Sequence, residues 1–158
     1  MFRKMRRSNQ QVSDEVCRNI LRTEKRGVLS VVGDDGYPYG VPINFTYEES
    51  ENTVYFHGSK TGHKIDGIKN SDKVCFTVMD GGYQEEGDWA WYVTSVIAFG
   101  RAELVTDMKV AEDQVRKLGL RYCPYPEAVE EEIRRAMNSV QLIALHIEHM
   151  TGKKIHEK

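Results

Sequence analysis

The sequence has little of what marks several common classes of protein. Its three cysteines, Cys17, Cys75 and Cys123, lie far apart and form no C-x-x-C pair, which argues against a metal site, a redox site and a disulfide framework. No apolar run approaches the ~20 residues of a membrane-spanning helix. Lysine and arginine total 22 against 24 acidic residues, a net charge of −2, unlike a dedicated nucleic-acid binder. We therefore expect a cytoplasmic protein that uses no metal, no nucleic acid and no membrane.

The length favours one domain. A chain of 158 residues can bury roughly 70% of its unfolded surface in a single core. Residues 1–12 form a basic N-terminal arm, and no apolar segment follows that would make it a signal peptide. There is no internal repeat or linker. The prediction is one domain over residues 1–158, preceded by a solvated basic arm.

The pattern of apolar residues predicts about six strands and four helices. Ser13 can cap the first helix, with Asp14 and Glu15 in its first turn. Asp-Gly at 35–36 separates two apolar runs and predicts a hairpin. Strands are expected at 28–32, 39–47, 54–56, 73–79, 89–105 and 140–148, and later helices at 63–70, 107–121 and 127–137. Short connections between strands, with helices around them, indicate a small antiparallel barrel.

Two strands have features that bear on function. Pro42 cannot donate to a sheet ladder, so it belongs on an edge or at a bulge, where neighbouring backbone groups stay available. The strand at 89–105 is apolar on both faces, whereas an antiparallel strand with a wet face should alternate. Its outer face is therefore expected to be covered by helices or by a second subunit, and Gly100 would let it bend.

The stretch 53–64 predicts an anion site. A strand ends at Gly58 and passes through a polar loop into the first turn of a helix, where backbone N–H groups lack partners. Ser59, Thr61, His63 and Lys64 add hydroxyls and positive charge, which suits a phosphate monoester. An ordinary polar loop is the alternative, because neither a Walker motif nor G-x-G-x-x-G is present.

Five segments, in this order, resemble the FMN-binding split-barrel superfamily, the pyridoxamine 5'-phosphate oxidase-like proteins. Within it they are most similar to the Nim-type 5-nitroimidazole resistance proteins. The segments are GVPINF (40–45), VYFHGS (54–59), GHKID (62–66), SVIAFGRA (95–102) and TGK (151–153). No single segment is specific, but their order and spacing span nearly the whole chain.

The resemblance implies a mostly β fold with helices (α+β), an antiparallel Greek-key split β-barrel that binds FMN. It also implies a homodimer with FMN at the subunit interface. His63 and Lys64 match the Arg-Lys pair that binds the FMN phosphate, and Ser95 matches a position that reaches the flavin from the other subunit. The further cofactor-binding positions implied are Val41, Pro42, Ile43, Asn44, His57, Gly58 and Ser59.

The leading hypothesis for function is an FMN-dependent oxidoreductase that reduces a small nitroaromatic compound. His57 is the expected catalytic residue, since an imidazole can deliver a proton near neutral pH; the alternative is that it only hydrogen-bonds the flavin or nearby backbone. The chain lacks the C-terminal Trp and Arg of true pyridoxamine phosphate oxidases, which argues against vitamin B6 oxidation. A non-catalytic FMN store or sensor remains open, as does a haem-handling protein with His57 or His146 as axial ligand.

Overall fold

The computed structural model describes residues 1–156 as four α-helices and eight β-strands. The helices are α1 (Asp14–Thr23), α2 (His63–Asn70), α3 (Met108–Tyr122) and α4 (Pro126–Ala136). The strands are β1 (Arg26–Val32), β2 (Pro38–Asn44), β3 (Thr46–Glu48), β4 (Thr53–Ser59), β5 (Lys73–Met79), β6 (Tyr83–Gln84), β7 (Trp91–Leu104) and β8 (Val140–His156).

The strands form one antiparallel sheet in the order β2-β1-β5-β7-β8-β4-β3, with β6 also paired to β7. The two ends of this order, β2 and β3, are consecutive in the chain and are joined through Phe45. A sheet whose two outermost strands are one residue apart must curl until its edges approach each other. The result is the predicted α+β split barrel.

Aromatic side chains fill the inside of the curled sheet. Phe45, Phe56 and Phe76 are fully buried. Phe76 meets each of the other two edge-on, with ring centroids 4.9 Å apart, a favourable arrangement for aromatic rings. Leu21 and Ile20 of α1 close one end of this core. The α1 helix begins where predicted, because the Ser13 hydroxyl accepts a hydrogen bond from the Val16 N–H at 3.3 Å.

The structure adds two short strands to the six expected. The segment predicted as one strand at 39–47 is divided at Phe45 into β2 and β3, and the loop at 80–88 contains β6. The predicted end of the last strand near residue 148 is wrong. Continued pairing with β7 carries β8 on to His156, past a bulge opposite Phe99 and Gly100.

Helices cover only part of the barrel's outer surface. The α3–α4 pair packs on β4 and β8, where Tyr55, Leu142 and Ala144 form a second apolar cluster with the helices. The outer face of β7 is left without a helix: Ile97 is 38% exposed and Phe99 is 37% exposed. Within residues 1–156, no helix is long and apolar enough to span a membrane.

Candidate functional site

The junction between β4 and α2 has the architecture predicted for an anion site. Gly62, with a φ of +120°, turns the chain into α2. The N–H groups of Ile65 and Asp66 both bond the Gly62 carbonyl, at 2.9 and 3.0 Å. The N–H groups of His63 and Lys64 have no backbone acceptor in the described chain. Two backbone donors are therefore available at the positive end of the helix dipole.

The Lys64 amine lies against Gly58. A Cβ at position 58 would stand 2.7 Å from Lys64 Nζ and 2.9 Å from its Cε. Any larger residue at position 58 would push this amine away. Lys64 forms no ion pair with any carboxylate among residues 1–156. The site thus holds a positioned positive charge that no side chain of the described protein neutralises.

His63 points its ring in a different direction from Lys64. Its imidazole stacks on Tyr39 with ring centroids 4.0 Å apart, and its Nε2 accepts a hydrogen bond from the Asp34 N–H at 3.3 Å. Gly33 permits this approach, since a Cβ there would lie 2.7 Å from Nε2. The ring of His63 therefore fixes α2 to the β1–β2 turn. Its backbone N–H is the group left for an anion.

His57 and Asn44 both line a cleft of about 310 Å³, together with Arg26, Pro42 and Ile43. Neither the His57 ring nor the Asn44 amide is hydrogen-bonded to another side chain or to backbone within residues 1–156. The pKa of His57 is lowered, first because surrounding atoms partly exclude water and second because of the positive charge of Lys64. The His57 ring is therefore mainly neutral at pH 7 in the ligand-free protein, while one side of it remains open to solvent.

The strand β2 lies on the free edge of the sheet, as Pro42 predicted. Pro42 is exposed and lies opposite Val28 of β1. Val41 and Ile43 are half-buried and pack against the core, and Ile43 also lines the cleft. Backbone groups of this strand, together with the Asn44 side chain, remain as possible ligand contacts.

Ser95 lies far from this cleft in its own protomer. It pairs with Met79 of β5 and Lys153 of β8. His57 instead lies opposite Leu142, next to the other end of β7 at Leu104. The nine residues from Ser95 to Leu104 correspond to roughly 30 Å along a strand. Contact between Ser95 and a ligand at His57 would need a second protomer.

Sequence reasoning missed two parts of the site. Arg26 lies opposite Asn44 in the β1–β2 register, and its guanidinium forms no ion pair in the described chain. A second cavity, of about 370 Å³, opens between the sheet and the α3–α4 pair, and it shares His57 and Asn44 with the first. The only sequence signal for it is the spacing of Val115, Leu118 and Tyr122 along one face of α3.

A search of curated proteins finds a partial relative. The match is 34% identical over 62 residues to the 5a,11a-dehydrotetracycline/5a,11a-dehydrooxytetracycline reductase of Streptomyces rimosus. It covers 38% of this chain and 44% of the reductase. The matched stretch is therefore less than half of the length of that enzyme.

Solved structures share the fold over nearly the whole chain. A protein from Bacteroides thetaiotaomicron, provisionally assigned to 5-nitroimidazole antibiotic resistance, superposes with a TM-score of 0.76 and 21% identity over 92% of this chain and 87% of its own. A FAD and haem binding protein from Mycobacterium smegmatis gives a TM-score of 0.73 and 19% identity over 91% of this chain and 72% of its own. At these identities the likeness establishes the fold alone.

The family model described as pyridoxamine 5'-phosphate oxidase matches residues 13–154, from the cap of α1 to near the end of β8. That range contains the β4–α2 junction, the β2 edge and both cavities. The chain belongs to the pyridoxamine 5'-phosphate oxidase family.

Proposed function

We propose that this protein binds FMN and uses it to reduce small nitroaromatic compounds, such as nitroimidazoles. One observation carries the proposal: two unpartnered polar side chains, His57 and Asn44, line one open cleft, and the unneutralised Lys64 lies near His57. Lys64 is close enough to His57 for its charge to lower the pKa of the imidazole. An anionic ligand with a polar ring system suits this combination better than a neutral apolar ligand does.

The phosphate of FMN fits the β4–α2 junction. The Lys64 amine is held beside Gly58, and the His63 and Lys64 N–H groups are free. The Ser59 hydroxyl accepts a long hydrogen bond of 3.5 Å from the Thr61 N–H, and its own hydrogen can still be donated to a ligand. Charge-assisted hydrogen bonds from an amine and a helix start are what a phosphate dianion requires.

The isoalloxazine ring of FMN is assigned to the cleft along β2. Its polar edge would meet backbone groups of residues 41–44 and the Asn44 amide, while His57 would lie beside it. Arg26, opposite Asn44, adds a positive charge that would favour a reduced, anionic ring system.

The chemistry divides between the cofactor and the chain. Bound reduced flavin supplies two electrons as a hydride equivalent. Conversion of a nitro group to a nitroso group takes up two electrons and two protons and releases water. We assign delivery of one proton to His57, whose low pKa in the free protein would rise beside a negative charge. Asn44 would hold a nitro oxygen by its amide N–H.

We further propose that the protein acts as a homodimer and that Ser95 completes the partner's flavin site. The support is the outer face of β7, where Ile97 and Phe99 remain partly exposed even though the Phe2 ring stacks on Phe99 with centroids 5.6 Å apart. Ser95 is on the same strand and on the same face as these residues, since it is two and four positions before them. A second copy would cover this face and bring Ser95 to a site that its own protomer cannot reach.

The test is anaerobic turnover of a 5-nitroimidazole by FMN-loaded protein, with dithionite as the electron donor. His57→Ala should retain FMN but lower turnover by about 10²–10⁴-fold, the usual contribution of a general acid. His146→Ala is the matched control, because His146 lies on the outer surface and bonds Thr53 and Glu103. Equal turnover by both variants would reject His57 as the proton donor. Absence of turnover by the wild type would reject nitro reduction as the function.

A haem-binding role is the second candidate, since an unpartnered imidazole at His57 borders an apolar cavity. The solved M. smegmatis relative is described as binding both FAD and haem. Absorbance separates the candidates: a Soret band after haem addition supports haem handling. Retained FMN that no nitro compound reoxidises supports storage or sensing instead, and bleaching of oxidised FMN by pyridoxamine phosphate supports vitamin B6 oxidation.

A further inference from the structure

The cavity between the sheet and the α3–α4 pair is apolar along its walls. Its volume is about 370 Å³. Val115 and Leu118 of α3 face Val129, Ile133 and Met137 from the α4 side. These side chains pack α3 and α4 onto the barrel, and the cavity opens to the surface beside the exposed Ala128 and Glu132.

Most polar side chains that line the cavity already have a partner within residues 1–156. The Tyr122 hydroxyl is already paired, since it accepts from the Phe45 N–H and has its one hydrogen within reach of the Lys25 and Phe45 carbonyls. Glu132 is paired with Arg135 at 2.6 Å. His57 and Asn44 remain, and both also line the cleft assigned to the flavin ring. A ligand lying in the cavity would therefore present its polar end to the same two residues that border the cofactor.

We propose that this cavity binds the apolar body of the substrate and selects nitro compounds with two fused rings. The inference rests on the proposed function and extends it by naming the substrate class. A cavity of about 150 Å³ suffices for benzene, so a volume of about 370 Å³ suits a body roughly twice that size. The nitro group would lie between His57 and Asn44, and the reaction would be the same two-electron, two-proton step to the nitroso product with loss of water.

Larger side chains in place of two alanines of α4 would fill the cavity without replacing any buried core residue. Ala128, Glu132 and Ala136 are four residues apart and line the cavity from one face of the helix. Ala128 is exposed and Ala136 is half-exposed, so each can accept a larger side chain at modest cost to folding. Glu131 is exposed on the same helix but does not line the cavity, which makes it a matched control position.

The experiment compares the FMN-loaded wild type with Ala136→Phe, Ala128→Phe and Glu131→Phe, each checked by thermal melting. The substrates are 5-nitroquinoline, with two fused rings, and 2-nitroimidazole, with one. Both alanine variants should raise KM for nitroquinoline by tenfold or more and change KM for nitroimidazole by less than twofold. Glu131→Phe should match the wild type with both. Equal effects on both substrates, or no effect on nitroquinoline, would overturn the proposal.

Failure of the proposed function would look different. If the wild type reduced neither compound, equilibrium dialysis of quinoline itself would still test the cavity. Binding to the wild type and to Glu131→Phe, but not to Ala136→Phe, would keep the apolar site and reject the reductase. No binding to any of the three would reject the cavity as a ligand site.

Discussion

Replacing Lys64 with alanine should weaken cofactor binding without weakening the fold. Lys64 is half-exposed, lies in the first turn of α2 and forms no ion pair in the described chain. A positive charge at the start of a helix opposes the helix dipole. The ligand-free variant should therefore melt no lower than the wild type.

The loss of FMN affinity can be worked out from the interactions removed. A hydrogen bond to a charged group contributes about 1.5–3 kcal/mol, and about 1.4 kcal/mol corresponds to a tenfold change in Kd. Lys64→Ala should thus raise the Kd for FMN by roughly ten- to a hundredfold. With FMN at about 100 times the wild-type Kd, the wild type gains about 2.7 kcal/mol of stability and a variant weakened a hundredfold gains about 0.4 kcal/mol.

The assay is thermal melting with and without FMN at that concentration. For a chain of this size, 1 kcal/mol moves Tm by about 2–4 °C, so the wild type should shift by about 5–11 °C and the variant by about 1–2 °C. Lys69→Ala is the control, because Lys69 is exposed in the last turn of the same helix. An FMN-induced shift in Lys64→Ala equal to that of the wild type would refute the assignment of the phosphate to this junction.

Three other perturbations test separate parts of the structure. The pKa of His57 is lowered in the folded protein, so folding opposes protonation of its ring. The stability of the wild type should therefore fall faster than that of His57→Gln as pH drops below about 6.5. Parallel thermal melts from pH 5 to 8 measure this difference, and identical profiles would contradict it. Gly100→Ala places a Cβ 2.0 Å from the His146 carbonyl and should destabilise by several kcal/mol, roughly 4 or more, whereas Gly81→Ala meets nothing within 4 Å and should be nearly neutral in urea unfolding. Ile97→Asp should convert the proposed dimer to monomer in sedimentation velocity, and an unchanged sedimentation coefficient would place the interface elsewhere.

Local chemistry made much of the fold predictable. The cap of α1 depends on Ser13 and the three residues after it, and the edge position of Pro42 follows from its missing N–H. The long β7 was predicted from its apolar run. The extension of β8 to His156 was not, because residues 151–154 look polar and enter the strand only by pairing with β7.

The candidate site was harder to predict, because distant residues build it. His63 and Lys64 are adjacent in sequence, yet successive side chains of a helix diverge by about 100°. The ring of His63 stacks on Tyr39, and the residues next to His63 in the sequence do not predict that contact. Arg26 meets Asn44 only through the register of the β1–β2 hairpin. The apolar cavity depends on how α3 and α4 pack on the sheet, which periodicity alone does not specify.

The most direct test of the central claim is the visible absorbance of the protein after incubation with FMN and removal of free flavin. We expect flavin bands at about one FMN per chain, bleaching under anaerobic dithionite, and return of the bands when a 5-nitroimidazole is added. Two reducing equivalents should be consumed for each nitro group converted to nitroso. Absence of retained flavin, or bleached flavin that the nitro compound leaves bleached, would contradict the account.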